Sequence, residues 1–353
     1  MGSRATKGGI REIARGRVCT ILCAIGLALA AGTARADDGP PIKVGLVLDR
    51  GGRDDKSFNS AAFRGATEAQ KKLGIKLKVV ETSDDSGFEP ALRTFSALGF
   101  RLVIGIGFAE GDPIRKVSAE FPQTHFLLID HPLDRPNVRS VTFSEHEGSY
   151  LVGVLAALAS PHLVVGFIGG MDIPLIRRFQ LGYEAGAKSI SPKVTVLTNY
   201  VGSGSEAWRN PTKAKELALA QFQSKADVIF SAAGASGMGV FDAAEETGRL
   251  AIGVDSNQNW VKPGHILTSM VKGVDRAVYD AIQEEVDGKF QPGVYHMGLT
   301  DGGVDFAMDS YNRGLISPFM EKKVNEIKQE IIHHQIKVPD YYELMRKPGA
   351  GSS

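Results

Sequence analysis

Three apolar runs in this sequence end in the same residue type. Residues 42–48 (IKVGLVL) lead into Asp49, residues 126–129 (FLLI) into Asp130, and residues 250–254 (LAIGV) into Asp255. A carboxylate accepts hydrogen bonds at both oxygens, so it can hold the adjacent hydroxyls of a sugar or the N–H groups of a heterocycle. Aspartate is also common in turns and caps, and a single one would carry no meaning. Three at the ends of strands favour a polar pocket. Asp49 opens the segment Arg50-Gly51-Gly52-Arg53-Asp54-Asp55-Lys56-Ser57-Phe58-Asn59. Its glycines permit a tight turn, and Ser57 or Asn59 can cap the helix that follows. Phe58 either staples that helix start or offers a face to a flat ligand. For a nucleic-acid base such stacking is worth about 1–3 kcal/mol.

Further candidates stand at similar places. Phe108 follows another apolar run through Ile106-Gly107, and Gly234 follows residues 228–231 (VIFS) by way of Ala232-Ala233. Lys272, in Thr268-Ser269-Met270-Val271-Lys272-Gly273, can bridge ligand hydroxyls and an aspartate such as Asp255, or stand solvated at the surface as most lysines do. Phe179, in Arg177-Arg178-Phe179-Gln180, fits core packing by its helical spacing, with a second stacking face as the alternative.

Signatures of catalysis are missing. Gly105-Ile106-Gly107 followed by Gly111 misses dinucleotide-binding spacing by one residue, and Gly234-Ala235-Ser236-Gly237-Met238-Gly239 lacks the Lys-Ser/Thr of a phosphate-binding loop. The sequence contains neither HExxH nor GxSxG. The eight histidines are scattered, with His125 and His131 flanking a strand and His333-His334 pointing to different sides of a helix. No metal, cofactor or enzymatic activity is expected.

The elements that must position these residues alternate. Strands are expected at 42–48, 77–80, 102–105 and 126–129, with helices at 60–73, 89–98 and 113–121 between them. The rhythm restarts with helices at 147–158, 176–189, 212–223 and 237–247, and strands at 164–168, 194–199, 228–231 and 250–254. Nearly continuous apolar strands alternating with helices imply parallel sheets covered on both faces. The expected fold is therefore α/β, with two doubly wound parallel-sheet lobes. Ligands of such sheets bind beyond the carboxyl ends of the strands, so two lobes place those ends around one cleft.

The first residues read as an address. Arg4, Lys7, Arg11, Arg15 and Arg17 precede an uncharged run at 18–33, and Ala34-Arg35-Ala36 precedes Asp37. Residues 1–36 thus read as a signal peptide cleaved after Ala36, placing the protein in the periplasm. Both cysteines, Cys19 and Cys23, lie inside this segment and too near its charged stretch for a lipid anchor, so release is expected and no disulfide remains. Cleavage would remove six basic residues and one acid from a chain with 41 and 40, leaving it slightly acidic, which argues against a nucleic-acid partner. A monomer is expected. Residues 339–353, polar and containing Gly and Pro, read as a flexible tail.

The segment from Gly51 to Asn59 resembles the signature of the basic membrane protein family, the PnrA-like purine nucleoside-binding components of ABC importers. The resemblance continues through Gly169-Gly170-Met171-Asp172-Ile173-Pro174 with Arg177, Phe179 and Gly182, then Ala232-Ala233-Gly234, Gly253-Val254-Asp255-Ser256-Asn257-Gln258 and Ser269-Met270-Val271-Lys272. It implies a type I periplasmic-binding-protein fold with a three-segment hinge. The lobes are then expected at 37–143 plus 272–292 and at 144–271 plus 293–338. By this resemblance Asp49, Asn59 and Asp130 would meet a base, Phe58 and Phe179 would sandwich it, and Gly234, Asp255 and Lys272 would meet the ribose. Ser57 and Phe108 complete the candidate set. The implied function is delivery of a nucleoside to an ABC permease of the inner membrane. Alternatives are an exported sensor or receptor for another flat solute, such as a free base or riboflavin, and an exported nucleoside-cleaving enzyme. One departure stands out: the loop around Ser205-Glu206-Ala207-Trp208-Arg209-Asn210 differs from the family's Gly-Ser-Phe-x-Asp pattern, with Trp208 and Asn210 in the places of its Phe and Asp.

Overall fold

The computed structural model describes residues 40–346 apart from Ser83. Residues 1–39, which include the expected signal segment, and residues 347–353 of the expected tail lie outside the described residues. In chain order the elements begin β1 (Lys43–Leu48), α1 (Phe58–Leu73), β2 (Lys76–Glu81), α2 (Phe88–Ala97), β3 (Leu102–Ile106), α3 (Gly111–Glu120), β4 (His125–Ile129) and β5 (Val138–Phe143). They continue with α4 (Glu145–Leu158), β6 (Val164–Met171), α5 (Pro174–Ile190), β7 (Thr195–Gly202), α6 (Pro211–Gln223), β8 (Val228–Ala232), α7 (Gly237–Thr247), β9 (Leu250–Asp255) and β10 (Ile266–Lys272). The last are α8 (Val274–Val286), β11 (Gly293–Met297), β12 (Val304–Phe306), α9 (Pro318–Ile332) and α10 (Tyr341–Arg346).

Two six-stranded sheets result, ordered β11-β5-β4-β3-β1-β2 and β12-β10-β9-β8-β6-β7. The first is parallel throughout, and the second is parallel except where β12 meets β10. Their matching orders put β4 and β9 in equivalent positions, so Asp130 and Asp255 are counterparts in the two lobes. Strands β1, β3, β8 and β9 are buried almost end to end, because helices cover both faces. Helices α4 and α5 pack closely enough that a Cβ on Gly186 would come within 2.0 Å of the Tyr150 carbonyl oxygen, so only glycine fits there.

Strands β5 and β10 do not stand out in the sequence, because polar residues interrupt them. Their polar groups are absorbed locally: Arg139 Nε donates to the Gln291 carbonyl at 2.8 Å, and Thr268 Oγ1 to the Ala307 carbonyl at 2.7 Å. The chain passes between sheets three times, at Ser144, at Gly273 and at 298–303. One boundary differs from expectation. Segment 293–338 does not go wholly to the second lobe, since β11 pairs with β5 in the first sheet, His296 opposite Thr142. The tail also differs in its described part. Asp340 forms an ion pair with Arg178 at 2.8 Å, and α10 is an ordered helical turn against α5.

Candidate functional site

The carboxyl ends of both sheets meet around one cavity. Its wall carries Asp49, Phe58, Asn59, Phe108, Asp130, Phe179, Gly234, Asp255 and Lys272, together with Gly51, Asp55, Leu175, Ile176 and Trp208. Ser57 alone among the candidates is not on this wall. Its hydroxyl donates to Asp255 Oδ2 at 2.7 Å, and its carbonyl accepts from Ser256 Oγ at 2.8 Å. Beside it, Gln258 Nε2 donates to the Lys56 carbonyl at 3.0 Å. Arg209 reaches across from the second lobe to the Arg50 carbonyl. Ser57 therefore clasps the lobes together.

The turn before α1 is organised by a residue that reading the sequence passes over. Asp55 accepts from the backbone N–H groups of Ser57, Asn59 and Ser60, at 2.8, 2.9 and 3.0 Å. It is the cap that Ser57 and Asn59 were expected to supply. Asp55 Oδ2 also takes the Asn59 side-chain N–H at 3.0 Å, which leaves Asn59 Oδ1 buried with no partner. Phe58 is thereby fixed as the first residue of α1. Phe108 is aimed by Gly107, whose φ of +113° suits glycine and whose missing Cβ leaves room for Asp49 Oδ2.

Asp130 and Asp255 both sit at positive φ, +68° and +63°, a backbone conformation uncommon for residues other than glycine. Strain of this kind collects at functional sites. Lys272 lies between them, buried, with Nζ 2.6 Å from Asp130 Oδ2 and 3.1 Å from Glu145 Oε1. Its ammonium stands 5.1, 5.0 and 5.7 Å from the ring centres of Phe58, Phe143 and Phe179. Burial alone would lower its pKa, but Asp130, Glu145 and Asp255 outweigh that and hold it above the ordinary lysine value. Phe179 packs against Phe230 at 6.4 Å, as its core reading expects, and also lines the cavity.

Carboxyl groups outnumber the cation. Burial raises Asp130 to about 7, with Lys272 offsetting only part of it. Burial likewise lifts Asp255 to about 6 against Lys272 and the Ser57 hydroxyl. Asp49 is pushed up to about 6 by burial against the opposing Arg50 backbone N–H. A folded-state carboxyl raised above its unfolded value, near 3.9, stabilises the fold at acid pH and loses that contribution as pH rises through the folded value. For Asp49 the window is about pH 4 to 6. We therefore expect Asp49→Asn to lose less melting temperature than the parent protein between pH 4.5 and 7; equal losses would exclude Asp49 as the group that titrates there.

Trp208 was visible in the sequence only as a change from a pattern. It ends the short turn Ser205–Trp208 after β7, lines the cavity, and packs on Gly170, where any Cβ would collide with its ring. Its indole Nε1 is buried without a partner. Asn210 is not on the wall; its side chain caps α6 by accepting from the Lys213 N–H at 3.0 Å.

Residues 42–341 match the family described as ABC transporter substrate-binding protein PnrA-like. The chain belongs to this family. Among the relatives of this PnrA-like protein is the ABC transporter nucleoside-binding protein BmpA of Lactococcus lactis subsp. cremoris. It is 33% identical over 321 residues, which cover 84% of this chain and 89% of the relative. An uncharacterized lipoprotein of Pyrococcus horikoshii is 35% identical over 284 residues, 76% of this chain and 69% of the relative. A solved ABC transporter solute-binding protein from Aeropyrum pernix K1 superposes with a TM-score of 0.79 at 28% identity, covering 86% of this chain and 96% of that one. The two parallel-sheet lobes of the PnrA-like chain are those of a type I periplasmic solute-binding protein.

Proposed function

We propose that this chain binds a purine nucleoside in the interlobe cavity and delivers it to an ABC permease of the inner membrane. The observation that carries this reading is the pairing of flat apolar faces with unpartnered polar atoms on one wall. Phe58, Phe179 and Trp208 supply rings, while Asn59 Oδ1, Asp130 Oδ1 and Trp208 Nε1 are buried and unpartnered. Such atoms are costly to bury unless a partner arrives. Asp49, Asp130 and Asp255 against the single Lys272 suit a neutral ligand rich in hydrogen-bond donors, which a nucleoside is and a nucleotide is not. The role is capture rather than turnover, and the protein acts as a monomer. The name borne by the Lactococcus relative agrees with this choice of ligand.

A ligand that binds only the folded state raises the melting temperature with the logarithm of its saturation. Adenosine, guanosine and inosine are expected to raise it, and their monophosphates to leave it unchanged. No shift with any nucleoside, or a shift with riboflavin or free bases alone, would overturn the assignment. Nucleosides recovered uncleaved after incubation complete the test against a hydrolase. Release from the membrane after cleavage at Ala36 belongs to the same reading, although relatives such as that of Pyrococcus horikoshii are named lipoproteins. The intact mass of the exported protein decides between the two.

A further inference from the structure

We infer that Asp340, on the C-terminal segment, is a positioning residue for the binding cavity, acting through Arg178 and Glu145 on Lys272. The inference rests on that cavity being the ligand site proposed above. A chain of alternating charges runs from the segment to the cavity wall. Asp340 takes Arg178 Nε at 2.8 Å and Nη2 at 3.1 Å. Arg178 Nη1 donates to Glu145 Oε2 at 2.6 Å and to the Phe143 carbonyl at 2.6 Å. The other oxygen of Glu145 stands 3.1 Å from Lys272 Nζ, which lies 2.6 Å from Asp130. Arg178, Glu145 and Lys272 are all buried, so none can exchange a lost partner for bulk water at small cost.

Glu145 is the shared member, one oxygen on each cation. Burial would raise its pKa, but Lys272 and Arg178 hold it below the usual carboxylate range. Asp340 satisfies the outer side of Arg178 and so leaves Glu145 free to divide itself between the two cations. Without that charge, Arg178 draws Glu145 outward and Lys272 falls back on Asp130 alone. The segment also lies physically beside the site. Tyr342 sits under the Arg178 guanidinium at 4.8 Å. Tyr342, Glu343 and Arg346 wall a second chamber that shares Phe108, Asp130 and Leu175 with the ligand cavity.

Full-length Asp340→Asn and Asp340→Glu proteins test this. The first measurement needs no ligand. The Asp130 carboxyl is followed by 13C NMR titration, with Lys272, Glu145 and Asp255 as the charges it feels most. Its midpoint is expected to fall by a few tenths of a pH unit in the Asn variant, because Lys272 then leans on it, and to return in the Glu variant. The second measurement is calorimetric binding of adenosine and guanosine. The dissociation constant is expected to rise about threefold or more in the Asn variant and to recover in the Glu variant, a size typical of coupling within one charge network. An unchanged midpoint overturns the inference, as does unchanged affinity where the parent protein binds. A lowered melting temperature with both readouts unmoved would make Asp340 an anchor of the segment only. If the parent protein binds no nucleoside, the proposed ligand fails, and the Asp130 midpoint still decides the role of Asp340.

Discussion

Lys272→Met is expected to destabilise the unliganded protein by about 3–5 kcal/mol at pH 7.5, the usual cost of stripping one partner from a buried ion pair. Methionine replaces the aliphatic stem and is a soft, apolar fit beside the rings of Phe58, Phe143 and Phe179 that the ammonium now faces, so packing changes little. The loss is electrostatic: the carboxyl groups of Asp130, Asp255 and Glu145 remain buried, and of the three only Glu145 keeps a cation, Arg178. With Lys272 present, burial already holds Asp130 at about 7 and Asp255 at about 6. Without it both rise further, since the cation is the largest influence opposing burial. A carboxyl raised in the folded state penalises folding fully above its folded pKa, and the penalty fades as pH falls toward the unfolded value. Much of the destabilisation should therefore vanish at pH 5, where both groups are protonated. Urea unfolding at the two pH values measures this. A penalty of equal size at both would trace the effect to packing instead.

The same residues show how far sequence reasoning reaches. The α/β rhythm was legible because β1, β3, β4, β8 and β9 are buried on both faces and must be apolar throughout. Asp49, Asp130 and Asp255 were legible for the same reason, since each is the first polar residue after such a run. What pattern could not show was long-range partnership. Strand β5 hides because the groups that take up Arg139, Gln291 and Glu284, come from 145 or more residues later. Strand β11 sorts to the first sheet by pairing with β5, which local composition does not express. Ser57 looked like a cap or a ligand contact, whereas its partner lies 198 residues away in Asp255. Asp55 was overlooked among three neighbouring acids and bases, though an aspartate just before a helix is an ordinary capping signal. The C-terminal segment reads as polar and loose, and only the buried Arg178 explains its order.

The clasp and the cavity bear on one another. Ser57 and Phe58 are consecutive residues, one tied to the opposite lobe and the other facing the ligand space. Wall residues from both lobes, Asp49 and Phe58 from one and Phe179 and Asp255 from the other, surround a single volume only while the lobes are together. A ligand touching both sets binds the closed arrangement better than an open one, and that difference in affinity is what can drive closure.

Phe58→Ala should weaken binding of a purine nucleoside by about 5- to 150-fold, corresponding to the 1–3 kcal/mol of a base stacked on an aromatic ring. The unliganded protein should melt almost as before. The helix start is held by Asp55 through three backbone N–H groups, none of which depends on the ring, and Phe58 is only partly buried. Phe179→Ala makes the contrast. That ring is buried and packs on Phe230 in the second lobe's core, so its loss costs stability as well, by about 3–5 kcal/mol. Calorimetric titration beside thermal melting separates the two: Phe58→Ala should move affinity alone, and Phe179→Ala should move both. Parent-like affinity in Phe58→Ala would return that ring to the bland role of stapling a helix and would leave Phe179 and Trp208 as the faces to test.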